Sequence, residues 1–490
     1  MDSLKEKTIR AGAAKLTGQA GRAVIRLGSI VILARLLDPS EFGLVAMVTV
    51  LTGVFEILAT GGLSAATIQR DKVSKEQIST LFWINIAIGV LIAFLCLMAA
   101  PLLKALYHEP KTAYIIAALA PAFIFTAAGV QHVALLQREL RFTALSGLEV
   151  GSEVVAAAVG IGMALAGWGY WALVGSALAL PLCITIGAWL TTGWIPGLPR
   201  LDRTVGSMLG FGGTITLNTL VVHAAYNFEK LLLGRYFGSD ALGLYGRAYE
   251  LINLPTRILN SAVGGVAFSA LSRVQSDPVR FKRYFLKGYS LVLSLTLPAT
   301  IFCAALADDI ILVVLGPKWT EATLIFQLLA PTILVFGIIN PYAWLLQSTG
   351  LHRRSLNTAF VIAPIAIGSY LVGIPFGPTG VALAYSTAMS LWMVPHTFWC
   401  LHGTPISPKD LLPPIARPLL SGVAAAIAGV SIHNLIADAI PYPLARLALA
   451  GTAMLAVYSW TLIFAMNQRS FYTDLLRAAV KPSDTAMRQG

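Results

Sequence analysis

The sequence is poor in charge. Only 12% of its 490 residues are Asp, Glu, Lys or Arg, whereas soluble proteins carry about 25%. Because a soluble chain of this length needs a polar surface, the shortage predicts a protein whose surface meets lipid. The formal net charge is +12, but the basic residues are not gathered in one hydrophilic domain. We therefore expect no nucleic-acid partner.

Metal-binding and catalytic patterns are also missing. The four cysteines have no metal-ligand spacing and the seven histidines form no HExxH pair, so we expect neither a metal nor a cofactor. Basic residues interrupt the first apolar segment, which argues against a cleaved signal peptide. The loops between apolar segments are short and leave no room for a soluble catalytic domain. We predict that the chain is not an enzyme.

Apolar residues, by contrast, make up 57% of the chain. A helix needs about 20 mostly apolar residues to cross a bilayer core of about 30 Å. This length predicts an all-α multi-pass membrane protein with about fourteen transmembrane helices. The predicted spans are 11–36, 42–66, 79–100, 113–137, 147–166, 170–194, 208–236, 244–271, 284–306, 322–349, 356–374, 377–401, 414–437 and 443–467.

The basic residues alternate between the two sides of these spans. With the N-terminus inside, 23 of the 35 lysines and arginines fall in cytoplasmic segments and six fall in the opposite loops. Such an excess is typical of cytoplasmic loops. We therefore expect a bacterial inner-membrane protein with both termini in the cytoplasm.

An internal repeat divides the chain. Residues 34–44 read ARLLDPSEFGL and residues 234–244 read GRYFGSDALGL, so that Gly43 matches Gly243 at an offset of 200. Six spans separate the copies, which predicts two six-helix lobes of the same orientation. We expect both glycines in outer turns, accessible from the periplasm. The predicted domains are an N-lobe (1–200), a C-lobe (201–405), two further helices (406–467) and a cytoplasmic tail (468–490).

Polar side chains form stripes at helical spacing inside four spans. Ionisable residues within a membrane usually face a bundle interior or water, and these stripes begin each lobe, so they predict one polar chamber between the lobes. Thr49, Thr52, Thr60, Thr216, Thr219 and Asn260 belong to the same stripes. The predicted site residues are Lys15, Gln19, Arg22, Arg26, Glu56, His223, Asn227, Lys230, Arg247, Glu250, Asn253 and Arg257.

Basic residues outnumber acidic ones in this set, which favours an anionic ligand. The guanidinium of arginine matches phosphate oxygens in bidentate fashion, and the Thr, Asn and Gln side chains suit sugar hydroxyls. Alternatively, Arg22 or Arg26 pairs with Glu56, and Arg247 or Arg257 pairs with Glu250, to fasten helices together. Glu149 and Glu153 are expected near the cytoplasmic interface.

The segment ARLLDPSEFGLVAMV after a basic first helix resembles the polysaccharide-transport (Wzx-type) flippases of the multidrug/oligosaccharidyl-lipid/polysaccharide superfamily. The resemblance covers nearly the whole chain and is greatest to exporters of exopolysaccharide, colanic acid and lipopolysaccharide units. It implies that undecaprenyl-pyrophosphate-linked oligosaccharide is moved to the periplasmic leaflet by alternating access. A proton or sodium gradient, membrane lipid and polysaccharide polymerase or export machinery are the implied partners.

Three other functions fit parts of the pattern. A peptidoglycan lipid-precursor flippase shares the fold and the sign of the chamber. A drug or cation antiporter shares the fold, but its chamber should be acidic or aromatic. A membrane glycosyltransferase, polymerase or ligase for the same lipid usually needs a large extramembrane domain.

Overall fold

The computed structural model describes residues 2–60, 74–199 and 203–473, and every regular element in these ranges is helical. Up to residue 273 the helices are α1 (Asp2–Leu36), α2 (Pro39–Thr60), α3 (Lys75–Tyr107), α4 (Lys111–Arg138), α5 (Phe142–Leu165), α6 (Trp171–Thr192) and α7 (Arg203–Arg273). The later helices are α8 (Pro278–Ala305), α9 (Ala307–Val314), α10 (Ala322–Leu329), α11 (Pro331–Ile339), α12 (Pro341–Ser348), α13 (His352–Gly373), α14 (Gly377–Leu401), α15 (Pro408–Ile436) and α16 (Pro443–Trp460).

Local signals in the sequence set several of these helix ends. Ser74 precedes α3 and its hydroxyl accepts a hydrogen bond from the backbone N–H of Gln77 at 3.2 Å. The amide oxygen of Gln77 accepts the backbone N–H of Ser74 at 3.0 Å, which completes a capping box. Asp277 is the N-cap of α8, and its carboxylate accepts hydrogen bonds from the backbone N–H groups of residues 279 and 280.

Ten helical stretches of the described residues are long and apolar enough to cross a membrane. Their exposed faces are apolar. On α3, for example, Leu91, Phe94 and Met98 are each more than half exposed. A contiguous apolar surface of this kind indicates contact with lipid. The protein is therefore a multi-pass membrane protein, whereas the predicted count of fourteen spans stays a prediction.

The predicted span 322–349 corresponds to one candidate span, Ala322–Ser348. Pro331 and Pro341 interrupt its helical hydrogen bonds, because proline lacks the N–H donor, while the backbone before each proline stays helical. The predicted spans 208–236 and 244–271 both fall within α7, which consists of two helices joined at Gly238, where the backbone has φ +80°. A positive φ of this size is easily adopted by glycine alone.

Two compact units divide the chain, Met1–Gly246 and Arg247–Gly490. In the first unit, α1 packs on α5, α3 packs on α4, and α5 packs on α6. In the second unit, α8 packs on α11 and α15, α13 packs on α14, and α15 packs on α16. The predicted lobe boundaries stay a prediction, and the end of the predicted tail, 474–490, lies outside the described residues.

The predicted alternation of spans along the chain puts the α4–α5 and α14–α15 loops on the same, basic side of the membrane. We call this side the basic side and the opposite side, which holds the α1–α2 turn and Gly238, the far side. The turn at Leu37–Asp38 and the break at Gly238 are separated by the same offset of about 200 residues as the sequence repeat.

Candidate functional site

Arg22 lies against two carboxylates of α5. Gly18 lets α1 approach α5 closely, since a Cβ at this position would lie 2.6 Å from the Cβ of Ser146. One turn further along, the Nη1 atom of Arg22 lies 3.1 Å from Glu149 and its Nε atom 3.6 Å from Glu153. Arg22 is thus part of the α1–α5 contact, and the pair of glutamates expected near an interface supplies its partners.

A polar chain follows one face of α7 before Gly238. The amide nitrogen of Asn227 donates to the backbone oxygen of His223 at 2.9 Å and lies 3.3 Å from its Nδ1 atom. The ammonium group of Lys230 donates to the amide oxygen of Asn227 at 2.7 Å. The three side chains occupy positions i, i+4 and i+7, which share one helix face. These three members of the predicted stripe contact one another in sequence along the helix.

Gly53 of α2 makes room for this chain. A Cβ on Gly53 would lie 2.5 Å from the Cε1 and Nε2 atoms of the His223 ring, so any larger residue would displace the imidazole. Glu56, one turn along α2, is exposed and acts electrostatically on His223 together with Lys230. The stripes predicted on α2 and α7 are therefore brought together at His223.

Glu229 is the acidic residue that stands out beside this chain. Its side chain is 1% exposed, and neither carboxylate oxygen has a hydrogen-bond partner within the described part of the chain. A carboxylate that is buried without partners is costly. The residue next to it, Lys230, faces the polar chain. The sequence alone does not single out Glu229, because its burial depends on tertiary packing.

The predicted site residues of the second unit lie on α7 after Gly238. The Nη1 atom of Arg247 lies 2.6 Å from the carboxylate of Glu250, so the pairing considered as an alternative is present. Asn253 donates to the backbone oxygen of Tyr249 at 2.9 Å. Arg257 is exposed.

The remaining predicted residues of the first unit are exposed. Lys15 lies with its ammonium nitrogen 5.8 Å from the centre of the Phe142 ring, and Gln19 and Arg26 extend the same stripe of α1. The side chains of Thr60, Thr216 and Thr219 lie outside the described residues.

Two glycines meet at the far side in a reciprocal contact. A Cβ on Gly43 would collide with the carbonyl oxygen of Ser239, and a Cβ on Gly243 would collide with the carbonyl oxygen of Pro39. The two contacts are equivalent in the repeat, because Gly43 corresponds to Gly243 and Pro39 corresponds to Ser239 at the offset of 200. Both glycines are buried inside helices rather than exposed in turns, so the expectation that they are accessible was wrong.

The comparison with known families decides the broad class of the protein. Residues 32–324 match the family described as polysaccharide biosynthesis protein. The chain belongs to this family.

Two relatives of this polysaccharide biosynthesis protein span most of its length. The lipopolysaccharide biosynthesis protein WzxC of Escherichia coli (strain K12) is 28% identical over 76% of the chain and 77% of the relative. The succinoglycan biosynthesis transport protein ExoT of Rhizobium meliloti (strain 1021) is 23% identical over 94% of the chain and 93% of the relative. The predicted resemblance to polysaccharide exporters is confirmed.

Solved structures show the fold. The lipid II flippase MurJ in an inward closed conformation is similar with a TM-score of 0.74 and 15% identity, over 96% of the chain and all of MurJ. An inward-facing multidrug resistance MATE family transporter of the MOP superfamily has a TM-score of 0.61 and 12% identity, over 77% of the chain and 93% of the transporter. The predicted fold of this superfamily is confirmed, and these relatives are transporters rather than enzymes.

This polysaccharide biosynthesis protein also has a buried ionic cluster that the sequence did not reveal. Asp309 of α9 is fully buried, and the guanidinium of Arg446 on α16 contacts it at 2.7 and 3.1 Å. The Nδ1 atom of His433 on α15 lies 3.2 Å from its other oxygen. The cluster fastens the last two helices to α9. Because Asp309 lies more than a hundred residues from both His433 and Arg446 in the chain, no local spacing could have found the cluster.

Proposed function

We propose that the protein is a flippase that moves undecaprenyl-pyrophosphate-linked oligosaccharide repeat units from the cytoplasmic to the periplasmic leaflet for surface polysaccharide synthesis. The observation that carries the proposal is the set of ionisable and amide side chains on α1, α2 and α7 of a membrane protein that belongs to a polysaccharide biosynthesis family. Ionisable side chains are costly inside a membrane, so they usually mark a ligand site or a transport pathway.

In the proposal, exposed cations attract the pyrophosphate, Arg26 in the first unit and Arg257 in the second. Arg22 and Arg247 contact carboxylates. A phosphate would have to displace those carboxylates, so Arg22 and Arg247 serve chiefly to position the helices. Gln19 and Asn253 offer amide groups to sugar hydroxyls. Each hydroxyl placed in lipid without a hydrogen-bond partner would cost about 2–7 kcal/mol.

Alternating access completes the proposed cycle. The Gly43–Gly243 contact brings helix backbones together at the far side, and opening toward the periplasm would separate them. Glu229, a buried carboxyl group, is our candidate for the coupling site of a proton or a sodium ion, since either would remove the cost of its charge. The proposal places the protein in the bacterial inner membrane with both termini in the cytoplasm, next to the polysaccharide polymerase and export machinery.

The test compares the lipid pools of cells that carry single arginine variants. We expect Arg26→Ala and Arg257→Ala to let undecaprenyl-pyrophosphate oligosaccharide accumulate in the cytoplasmic leaflet, with export reduced at least about tenfold, because one lost charge-assisted hydrogen bond costs about 1.5–3 kcal/mol. The measurement is the amount of this lipid in each leaflet of a deletion strain complemented with each variant.

Arg280→Ala is the matched control, because Arg280 is exposed in the basic-side first turn of α8 and pairs with Asp277. It should export normally at the same protein level. Full export by both Arg26→Ala and Arg257→Ala would refute the assignment of the site.

A second candidate function rests on the structural similarity to the lipid II flippase. Accumulation of a peptidoglycan lipid precursor in the cytoplasmic leaflet of depleted cells, with surface polysaccharide unchanged, would favour it. A drug or cation antiporter is less well supported, since the exposed charged members of the α1 stripe, Lys15 and Arg26, are cationic.

A further inference from the structure

Two membrane-crossing helices of the second unit carry exposed cations near their basic-side ends. Arg283 and Lys287 are exposed on α8 at positions i and i+4, so they share one helix face. Arg417 is exposed in the third turn of α15, as Lys287 is in the third turn of α8. Among the residues that the structure describes, none of these three cations forms an ion pair.

An ion pair joins the first turns of the two helices. The ammonium nitrogen of Lys282 on α8 lies 2.7 Å from the carboxylate of Asp410 on α15. Asp410 and Arg417 occupy positions i and i+7, which share one face of α15. Both helices enter the membrane from the basic side, so the ion pair marks a common level. At 1.5 Å per residue, Lys287 and Arg417 then differ in depth by about 3 Å.

The acidic residues at this end of the second unit are already paired. Asp277 contacts Arg280 at 3.3 Å, and Asp410 contacts Lys282. The other acidic residues described in this unit lie in the middle of α7 or on the far side, and they are Glu250, Asp308, Asp309, Glu321 and Asp438. The positive charge of the three exposed cations is therefore not balanced by carboxylates within the described part of the unit.

Beyond the cations, the exposed surface of both helices is apolar. Leu295 follows Lys287 by two turns on α8, Leu420 follows Arg417 by one turn on α15, and both leucines are exposed. Each helix is about 42 Å long and exceeds a bilayer core of about 30 Å, so its first turns reach the headgroup layer. The exposed Tyr284 is typical of this layer. The surface therefore passes from headgroups to lipid chains.

We propose that Arg283, Lys287 and Arg417, which we call the α8–α15 patch, bind an anionic phospholipid of the cytoplasmic leaflet. Its phosphate lies beside the three cations and its acyl chains lie along α8 and α15. Charge complementarity favours this ligand, because the negative surface potential of that leaflet attracts basic residues near the membrane. The inference goes beyond the proposed function, since it does not depend on which lipid is transported. It rests on the cytoplasmic position of the basic side.

The test is native mass spectrometry of the purified full-length protein titrated with phosphatidylglycerol or with phosphatidylcholine. We expect phosphatidylglycerol to bind at least about tenfold more tightly. Arg283→Gln, Lys287→Gln and Arg417→Gln should each weaken its binding about fivefold, which corresponds to about 1 kcal/mol per basic residue. The triple variant should lose the preference for phosphatidylglycerol.

Arg353→Gln is the matched control, because Arg353 is an exposed cation in the first turn of α13, which lies outside the patch. It should bind phosphatidylglycerol as the wild type does. Lys287→Arg keeps the charge and should also bind normally, whereas a loss as large as that of Lys287→Gln would contradict recognition by charge.

Three further results would overturn the proposal. They are equal binding of the two phospholipids by the wild type, an unchanged preference in the triple variant, and an equal loss in Arg353→Gln. Displacement of phosphatidylglycerol by an equimolar amount of polyprenyl pyrophosphate would also overturn it, because the patch would then recognise the transported lipid. Native mass spectrometry needs no transport, so export by Arg26→Ala and Arg257→Ala tests the proposed function separately.

Discussion

At the scale of single residues, the site is organised by what each cation contacts. Arg22 bridges two carboxylates of α5, whereas Lys15 and Arg26 on the same stripe are exposed. The same charge at the same helical spacing therefore lies in two different surroundings. His223 also depends on its surroundings, because its ring occupies the space that a side chain at Gly53 would fill.

The Arg22 contact predicts a stability effect. Glu149→Gln combined with Glu153→Gln keeps the size of both side chains but leaves the half-buried guanidinium without a carboxylate. We expect a loss of about 2 kcal/mol, measured as a lower apparent Tm of the purified protein. Glu139→Gln, which removes the partner of the exposed Arg141, should change stability by less than about 1 kcal/mol. Equal effects of both changes would contradict a fastening role for Arg22.

At the scale of elements, apolar length and cap residues predict most helices, whereas their partners are decided by contacts between distant segments. The capping box at Ser74 and the N-cap at Asp277 are readable from the sequence. The partner of Arg22 is not, since a stripe on one helix does not indicate which neighbour faces it. The interruptions at Pro331 and Pro341 could have been predicted, because both prolines are visible in the sequence. The span prediction used hydropathy alone and did not include them.

The segment between α6 and α7 shows a similar limit. Its composition is typical of a loop, and the structure fixes its first part against α3. The indole nitrogen of Trp83 donates to the backbone oxygen of Gly197 at 2.9 Å, and the backbone N–H of Gly197 donates to Ser79 at 3.0 Å. Composition indicates a loop but not where its backbone hydrogen bonds go.

The buried cluster at α9, α15 and α16 gives the prediction at this scale. Arg446→Met should destabilise the protein by about 3 kcal/mol, because it leaves the buried carboxylate of Asp309 without its cation. Adding Asp309→Asn should restore part of the loss, since the double variant buries no charge. The measurement is the apparent Tm of the single and double variants, with Arg280→Met as an exposed control. A double variant less stable than Arg446→Met alone would exclude this account.

At the scale of the whole molecule, the alternation of charged loops predicts the membrane orientation. The two far-side segments at Asp38 and Asp240 should lie in the periplasm, and both residues are exposed. Cysteine at either position of a variant without native cysteines should therefore react with a membrane-impermeant thiol reagent added to intact cells. Cysteine at Arg280, on the basic side, should react only after the membrane is opened. Labelling of residue 280 in intact cells, or protection of residues 38 and 240, would reverse the proposed orientation.

The contact between Gly43 and Gly243 has a consequence for how the two repeats can change during evolution. In a symmetric dimer one substitution at such a self-complementary contact would appear twice, whereas a single chain must encode the two positions separately. Each glycine lies against the backbone beside the other glycine. A larger side chain at one position therefore cannot be compensated by a change of side chain at the other. The two halves are free to diverge in their polar stripes, but at this point they are bound to keep the same residue.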